Sequence, residues 1–325
     1  MPPFARVAII GLGLIGSSLA RAVRRHLPGV ALSGFDRDPG VRATVGRLGL
    51  VDRVADSAAA AVADADLVVL AVPLGAMRAV GEAIRAALAE GATLSDVGSS
   101  KQAVIDALAD LVPPGVHFVP AHPVAGTEKS GPEAGFASLF AGRWCILTPP
   151  DTADPSAVAR LGDFWTRLGS RVEMMDARHH DLVLAVTSHL PHLIAYSIVG
   201  TASDLEGVTK AEVIKYSAGG FRDFTRIAAS DPTMWRDVFL MNRDAVLEML
   251  ARFSEDLAAL QRAIRWGDGE TLYRRFEASR AIRRAIIDAG QDTDAPDFGR
   301  SHPELGDEVG APPSGAGPAA GSSRA

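Results

Sequence analysis

An apolar run, Arg6–Ile10, passes without a break into Gly11-Leu12-Gly13-Leu14-Ile15-Gly16, and a helical pattern over Ile15–His26 leads out of it. That junction leaves few folds open. Gly11 permits a tight turn, Gly13 lets a pyrophosphate approach the main chain, and Gly16 lets helix and strand pack closely. The helix that opens there offers free N–H groups and a positive dipole end to phosphate. A glycine turn alone can occur without any ligand. Here Asp36 ends the second apolar run, about twenty residues past Gly16. A carboxylate at that place accepts hydrogen bonds from ribose hydroxyls and repels a 2′-phosphate. The pattern predicts a cofactor site of Gly11, Leu12, Gly13, Leu14, Ile15, Gly16 and Asp36 that takes NAD in preference to NADP. The neighbouring Arg37 could pair with a phosphate and leaves that preference open to test.

Short apolar runs alternate with helical patterns through the first half. The spacing predicts strands at Arg6–Ile10, Ala31–Phe35, Asp66–Val72, Thr93–Val97, His117–Ala121 and Trp144–Leu147. Helices are predicted near Ile15–His26, Gly75–Ala89, Lys101–Leu111 and Ala157–Leu168. Strands apolar on both faces and separated by helices indicate a parallel sheet covered on both sides. After a short strand near Arg171–Met175 the alternation stops. Helical patterns follow over Asp181–Ala202, Ala211–Ser217, Pro232–Trp266 and Gly269–Ala289. The fold class is α/β: an N-terminal Rossmann-type, doubly wound parallel sheet over residues 1–175, then an all-α domain over 176–290. Residues 291–325, rich in Gly, Pro, Ser, Asp and Ala, are predicted to be a disordered tail. In the longest helical pattern Leu250, Phe253, Leu257, Leu260 and Ile264 form an apolar stripe, which fits either packing within the chain or a homodimer seam.

Composition excludes several functions. The formal charge is −6, from 39 acidic and 33 basic residues, so a basic nucleic-acid surface is not expected. A single cysteine, Cys145, permits no intramolecular disulfide and no cysteine cage for a metal, and no metal site is predicted. Val7–Ala20 is apolar and resembles a signal peptide, but glycines interrupt it and Arg21, Arg24 and Arg25 follow without a cleavage-like break. No other apolar stretch reaches the roughly 20 residues of a membrane span. A soluble, cytoplasmic protein is expected, with no membrane partner.

Ligands of open α/β sheets sit outside the carboxyl ends of the strands. Two segments fall there: Asp96-Val97-Gly98-Ser99-Ser100-Lys101 and His122-Pro123-Val124-Ala125-Gly126-Thr127-Glu128. A histidine at a strand end is often structural. His122 would nevertheless face the nicotinamide side of the cleft, with the Ser99 hydroxyl nearby, and imidazole suits removal of a proton from an alcohol. In the helical half, Ser188 and His192 of Thr187-Ser188-His189-Leu190-Pro191-His192 are four apart and share a face. Pro191 should bend the helix there. They line a cleft or fill a polar space between domains. Arg226, in Phe221-Arg222-Asp223-Phe224-Thr225-Arg226, is a candidate fork for a carboxylate, or else a surface ion-pair partner.

Together Gly11–Gly16, Asp96–Lys101, His122–Glu128 continuing as Lys129-Ser130-Gly131, Thr187–His192, and Asp223–Arg226 with Trp235 resemble the prephenate/arogenate dehydrogenase family of tyrosine biosynthesis. The resemblance covers about Arg6 to Ala289. It implies oxidative decarboxylation of a cyclohexadienol with NAD as hydride acceptor. By that resemblance His122 accepts the 4-hydroxyl proton and Ser99 orients hydroxyl and nicotinamide. Arg226 binds a substrate carboxylate, His192 and Ser188 line the pocket, and Glu128 and Asp223 support it. It also implies a homodimer through the helical half. Neither a fused chorismate mutase segment before Arg6 nor a further small-molecule domain after Ala289 is expected. Two rivals remain at this level: another two-domain dehydrogenase, such as one for β-hydroxy acids, and an NAD-binding sensor without turnover. The Thr187–His192 segment argues against the first, because those enzymes place a lysine or other polar group in the helical half. The joint presence of His122, Ser99 and Arg226 argues against the second.

Overall fold

The computed structural model describes residues 1–203, 212 and 219–288. The helix expected at Ala211–Ser217 and the tail from Gln291 lie outside these residues. The chain divides into two compact units, Met1–Phe253 and Ser254 onward.

The first unit is built on six parallel strands: β1 (Arg6–Ile10), β2 (Ala31–Phe35), β3 (Arg53–Val54), β4 (Leu67–Leu70), β5 (Thr93–Asp96) and β6 (His117–Phe118), in the order β3-β2-β1-β4-β5-β6. The order reverses between β1 and β4, where a doubly wound sheet opens a crevice at its carboxyl edge. Both faces are covered, as the strand composition requires. Val7 and Ile9 enter a core with Leu32, Phe164 and Trp165, while Ala8 and Ile10 enter the opposite core with Val68, Leu94 and Leu108. The helices over the sheet include α1 (Leu14–His26), α2 (Pro39–Arg47), α3 (Ala58–Val62), α4 (Met77–Ile84), α5 (Lys101–Leu108) and α6 (Pro155–Arg167). The helices α2 and α3 go beyond the predicted set.

The expected strand at Trp144–Leu147 forms, but not in the parallel sheet. It is β8 of a second, three-stranded sheet, between β7 (Ala121–Pro123), to which it is antiparallel, and β9 (Arg171–Met174), to which it is parallel. The predicted strand His117–Ala121 is split between the two sheets. The physical reason lies in two side chains. The Ala121 N–H donates to Asp96 Oδ1 (3.1 Å) instead of to a strand, and the Ala121 carbonyl accepts from Lys101 Nζ at 2.6 Å. A buried ion pair thus ends the first sheet at the residue before His122.

Helices α7 (Ala177–Leu184) and α8 (Leu190–Ser203) follow, joined by a π-helical turn over Ala185–His189. Pro191 has no N–H to return to Thr187, and the widened turn just before it absorbs the mismatch. The combined run Ala177–Ser203 is long and apolar enough to cross a membrane by length and composition. This corrects the expectation that no further run has that length: polar residues interrupt the stretch without lowering its mean hydropathy enough. The run holds buried His180, Asp181 and His189, which the fold engages as described below.

The helix expected over Pro232–Trp266 is two helices, α10 (Pro232–Met241) and α11 (Arg243–Trp266), after a short α9 (Gly219–Thr225). The break is Asn242, a buried residue whose side-chain amide is committed elsewhere. In the second unit the end of α11 and α12 (Gly269–Asp288) are joined at Gly267, and Arg275 reaches Asp256 at 3.0 Å. Leu257, Ile264, Trp266, Tyr273 and Phe276 are exposed.

Candidate active site

The glycine turn has the geometry its sequence demands. Gly11 sits at φ +93°, and a Cβ there would lie 2.4 Å from the Ala71 carbonyl oxygen. A Cβ on Gly16 would lie 1.9 Å from the Gly11 carbonyl oxygen. A Cβ on Gly13, by contrast, meets nothing within 4 Å. Packing therefore requires glycine at two of these positions and leaves the third as an open cradle at the start of α1, which fits a pyrophosphate. Gly13→Ala is expected to keep the wild-type unfolding midpoint and lose NAD affinity by about tenfold or more. Gly16→Ala is expected to lose stability first. Calorimetric NAD titration beside urea unfolding checks both, and a Gly13→Ala protein with undiminished affinity would remove the cradle. Asp36, half-buried at the end of β2, accepts from the N–H groups of Leu12 (2.8 Å) and Asp38 (2.9 Å). Its carboxylate is thereby fixed beside the turn.

On the other side of the crevice Asp96 and Lys101 are both fully buried and paired. Asp96 also accepts from the N–H of Gly98 at 2.7 Å, which shapes the turn carrying half-buried Ser99. Burial pushes the Lys101 ammonium below its usual range, and the Asp96 carboxylate draws it back up.

His122, on β7 opposite Ile146, is 8% exposed. Its Nδ1 lies 2.9 Å from His180 Nε2, and His180 Nδ1 lies 2.8 Å from Asp181 Oδ1. Asp181 also accepts from the N–H groups of Lys101 (2.7 Å) and Gln102 (3.0 Å), so it caps α5 from a distant helix. Burial pushes His122 well below its ordinary 6.5, and His180, Lys101 and His189 add to the effect. His180 is also lowered by burial, with Asp181 opposing.

Asn242 Nδ2 donates to the Asp181 carbonyl (2.8 Å) and lies 3.0 Å from Nδ1 of His189, which burial pushes down to about 4. His189 meets the Trp235 ring edge-on at 6.0 Å, and His192 stacks on the same ring at 3.6 Å. His192 Nδ1 donates to the Ser188 carbonyl at 2.8 Å, and Ser188 is half-buried. Burial lowers His192 and the nearby Arg226 cation lowers it further, against that hydrogen bond. Arg226 pairs with Glu128 at 3.2 Å, each about one-third exposed. One continuous set of contacts therefore runs from His122 through Asp181 and Trp235 to His192. Asp223 is exposed on α9 and pairs with its neighbour Arg222 at 3.6 Å.

Sequence reasoning assigned no role to His180, Asp181 or Asn242. The signals were faint: His179-His180-Asp181 behind a capping Asp176, and one asparagine inside a helical pattern.

A family model described as prephenate dehydrogenase, nucleotide-binding domain, matches residues 19–174. A second, described as prephenate dehydrogenase, dimerization domain, matches 176–278. A cyclohexadienyl dehydrogenase of Zymomonas mobilis is 46% identical over 286 residues, covering 88% of this chain and 97% of that protein. A prephenate dehydrogenase of Bacillus subtilis is 34% identical over 281 residues, covering 86% of this chain and 76% of the relative. Among solved structures, prephenate dehydrogenase from Aquifex aeolicus in complex with hydroxyphenyl propionate and NAD+ matches with a TM-score of 0.80 and 35% identity, over 88% of this chain and 98% of that one. Two domain models in chain order and these relatives agree with the resemblance carried by the motifs: the chain belongs to the prephenate dehydrogenase family.

Proposed function

We propose that this chain catalyses the NAD-dependent oxidative decarboxylation of prephenate, arogenate or both, to 4-hydroxyphenylpyruvate or tyrosine. The observation that carries the reading is His122, a buried imidazole on β7 beyond the end of the parallel sheet, pushed well below its ordinary 6.5 by burial and hydrogen-bonded to His180 of the helical half. Bound NAD supplies the hydride acceptor for the ring carbon that bears the hydroxyl. His122 takes the hydroxyl proton as that carbon becomes a carbonyl. The bond from the ring to its carboxylate then breaks, CO2 leaves, and the electron pair completes the aromatic ring, whose oxygen regains a proton as phenol. Ser99 orients the hydroxyl from the turn after β5. Arg226 binds a substrate carboxylate through its planar fork in place of Glu128, with His192 and Ser188 lining the pocket and Glu128 and Asp223 supporting it. Aromatisation drives the reaction, so positioning and charge stabilisation remain for the protein to provide.

The test is NADH absorbance with purified protein, NAD, and each substrate in turn. Turnover with either supports the reading and names the preferred side chain, keto or amino. No turnover with both removes it.

The chain would act as a homodimer through its helical half. The family model for residues 176–278 is described as a dimerization domain, and the second unit exposes Leu257, Ile264, Trp266, Tyr273 and Phe276. Apolar exposure on that scale marks an interaction surface. Light scattering at working concentration should give twice the chain mass, and a monomer would refute the dimer.

A further inference from the structure

We infer that His180 and Asp181 are positioning residues that fix the tautomer of His122, so that its Nε2 is the bare, proton-accepting atom. This rests on the function proposed above.

The assignment follows from which atoms can only donate. Asp181 Oδ1 accepts from the N–H of Lys101 at 2.7 Å and lies 2.8 Å from His180 Nδ1, while Oδ2 accepts from the N–H of Gln102 at 3.0 Å. Backbone N–H groups cannot accept, so these contacts hold Asp181 as an acceptor and place a proton on His180 Nδ1. A neutral His180 then has a bare Nε2. That atom lies 2.9 Å from His122 Nδ1, so His122 carries its proton there. What remains on the His122 ring is Nε2, without a proton. In the opposite tautomer Nε2–H would face the substrate hydroxyl as a donor, and the ring could not act as base.

The arrangement also serves the next step. Once His122 takes a proton, the imidazolium keeps its Nδ1–H on His180, and His180 keeps its own on the Asp181 carboxylate. The Lys101 cation and the His189 ring oppose that charge on His122, while Asp181 and Asp96 favour positive charge one ring further on, at His180. A base oriented by a second imidazole and a carboxylate follows the same logic as a nucleophile–histidine–aspartate array, where the wrong tautomer is costly.

Two variants at one position separate positioning from packing. An asparagine amide sits where Nδ1 was and keeps the bond to Asp181, whereas a glutamine amide reaches the place of Nε2 and presents its carbonyl to His122. His180→Asn is expected to lower kcat by on the order of 10²-fold or more, with KM and NAD affinity little changed. His180→Gln should recover at least about tenfold of that loss. Ring 15N shifts of His122 in the NAD-free protein give a readout independent of turnover: Nδ1 protonated and Nε2 bare in wild type, with both tautomers populated in His180→Asn. Wild-type shifts showing Nε2–H overturn the inference even if the enzyme is active, as does His180→Asn turning over within about threefold of wild type. Failure of wild type to act on either substrate while showing the expected shifts removes the proposed function and leaves the tautomer assignment standing.

Discussion

His122→Asn is expected to lower kcat/KM by about two to four orders of magnitude while leaving NAD binding close to wild type. Position 122 lies in the ladder between β7 and β8, so asparagine keeps the backbone pairing and removes only the imidazole. The pH profile supplies the second half of the prediction. A base must be unprotonated, and the His122 imidazole is held well below 6.5, by burial first. Wild-type kcat/KM should therefore stay level through pH 6.5 and fall only at lower pH, and the residual rate of the variant should lack that limb. Stability follows the same sign. His122, His180 and His189 all have lowered values in the folded chain, so below 6.5 the unfolded chain binds more protons than the folded one. Their contribution is complete above 6.5 and is lost progressively as pH falls below it, the share of His189 being gone once pH passes below about 4. An acid limb at 6.5 or above in wild type, or an unchanged limb in the variant, would defeat the assignment of His122 as base.

Local pattern revealed the residues whose roles are local. The turn from Gly11 to Gly16 and the parallel strands β1, β2, β4 and β5 all follow from apolar runs and the glycines and acids that bound them, whereas His122, expected at a strand end, lies within β7 of the second sheet. Two short helices went unpredicted although their signals were present: Asp38 before Pro39 caps α2, and Ser57 caps α3. Both segments are short and weakly apolar, so periodicity alone passes over them. The split of His117–Ala121 between two sheets is different in kind. Nothing in that run of five residues shows that a carboxylate and an ammonium, 25 and 20 residues earlier, take both polar groups of Ala121. Likewise Asp181 caps a helix 80 residues away in sequence. A periodicity argument sees which face a residue lies on, not which distant group it meets, and this site is assembled from such meetings.

The Asp96–Lys101 pair should dominate stability in the same way. Asp96→Asn removes the counter-charge from a fully buried ammonium, and loss of one partner from such a pair costs about 3–5 kcal/mol. The expected result is a lower urea midpoint with little change in slope. Lys101→Met should cost a similar amount, because it leaves the Asp96 carboxylate buried with only the N–H groups of Gly98 and Ala121. The double variant decides the mechanism: it leaves no buried charge, so its loss should be clearly smaller than the sum of the two single losses. Additive losses would mean that the charges are not coupled and that the hydrogen bonds to Ala121 alone hold the junction. Function should separate from stability in the double variant. The tie from Lys101 Nζ to the Ala121 carbonyl is gone there, so β7 loses one of the two side-chain contacts that set the position of His122. The double variant should thus unfold closer to wild type than either single variant, yet show a kcat lowered by about tenfold or more, because small displacements of a catalytic group are costly to rate.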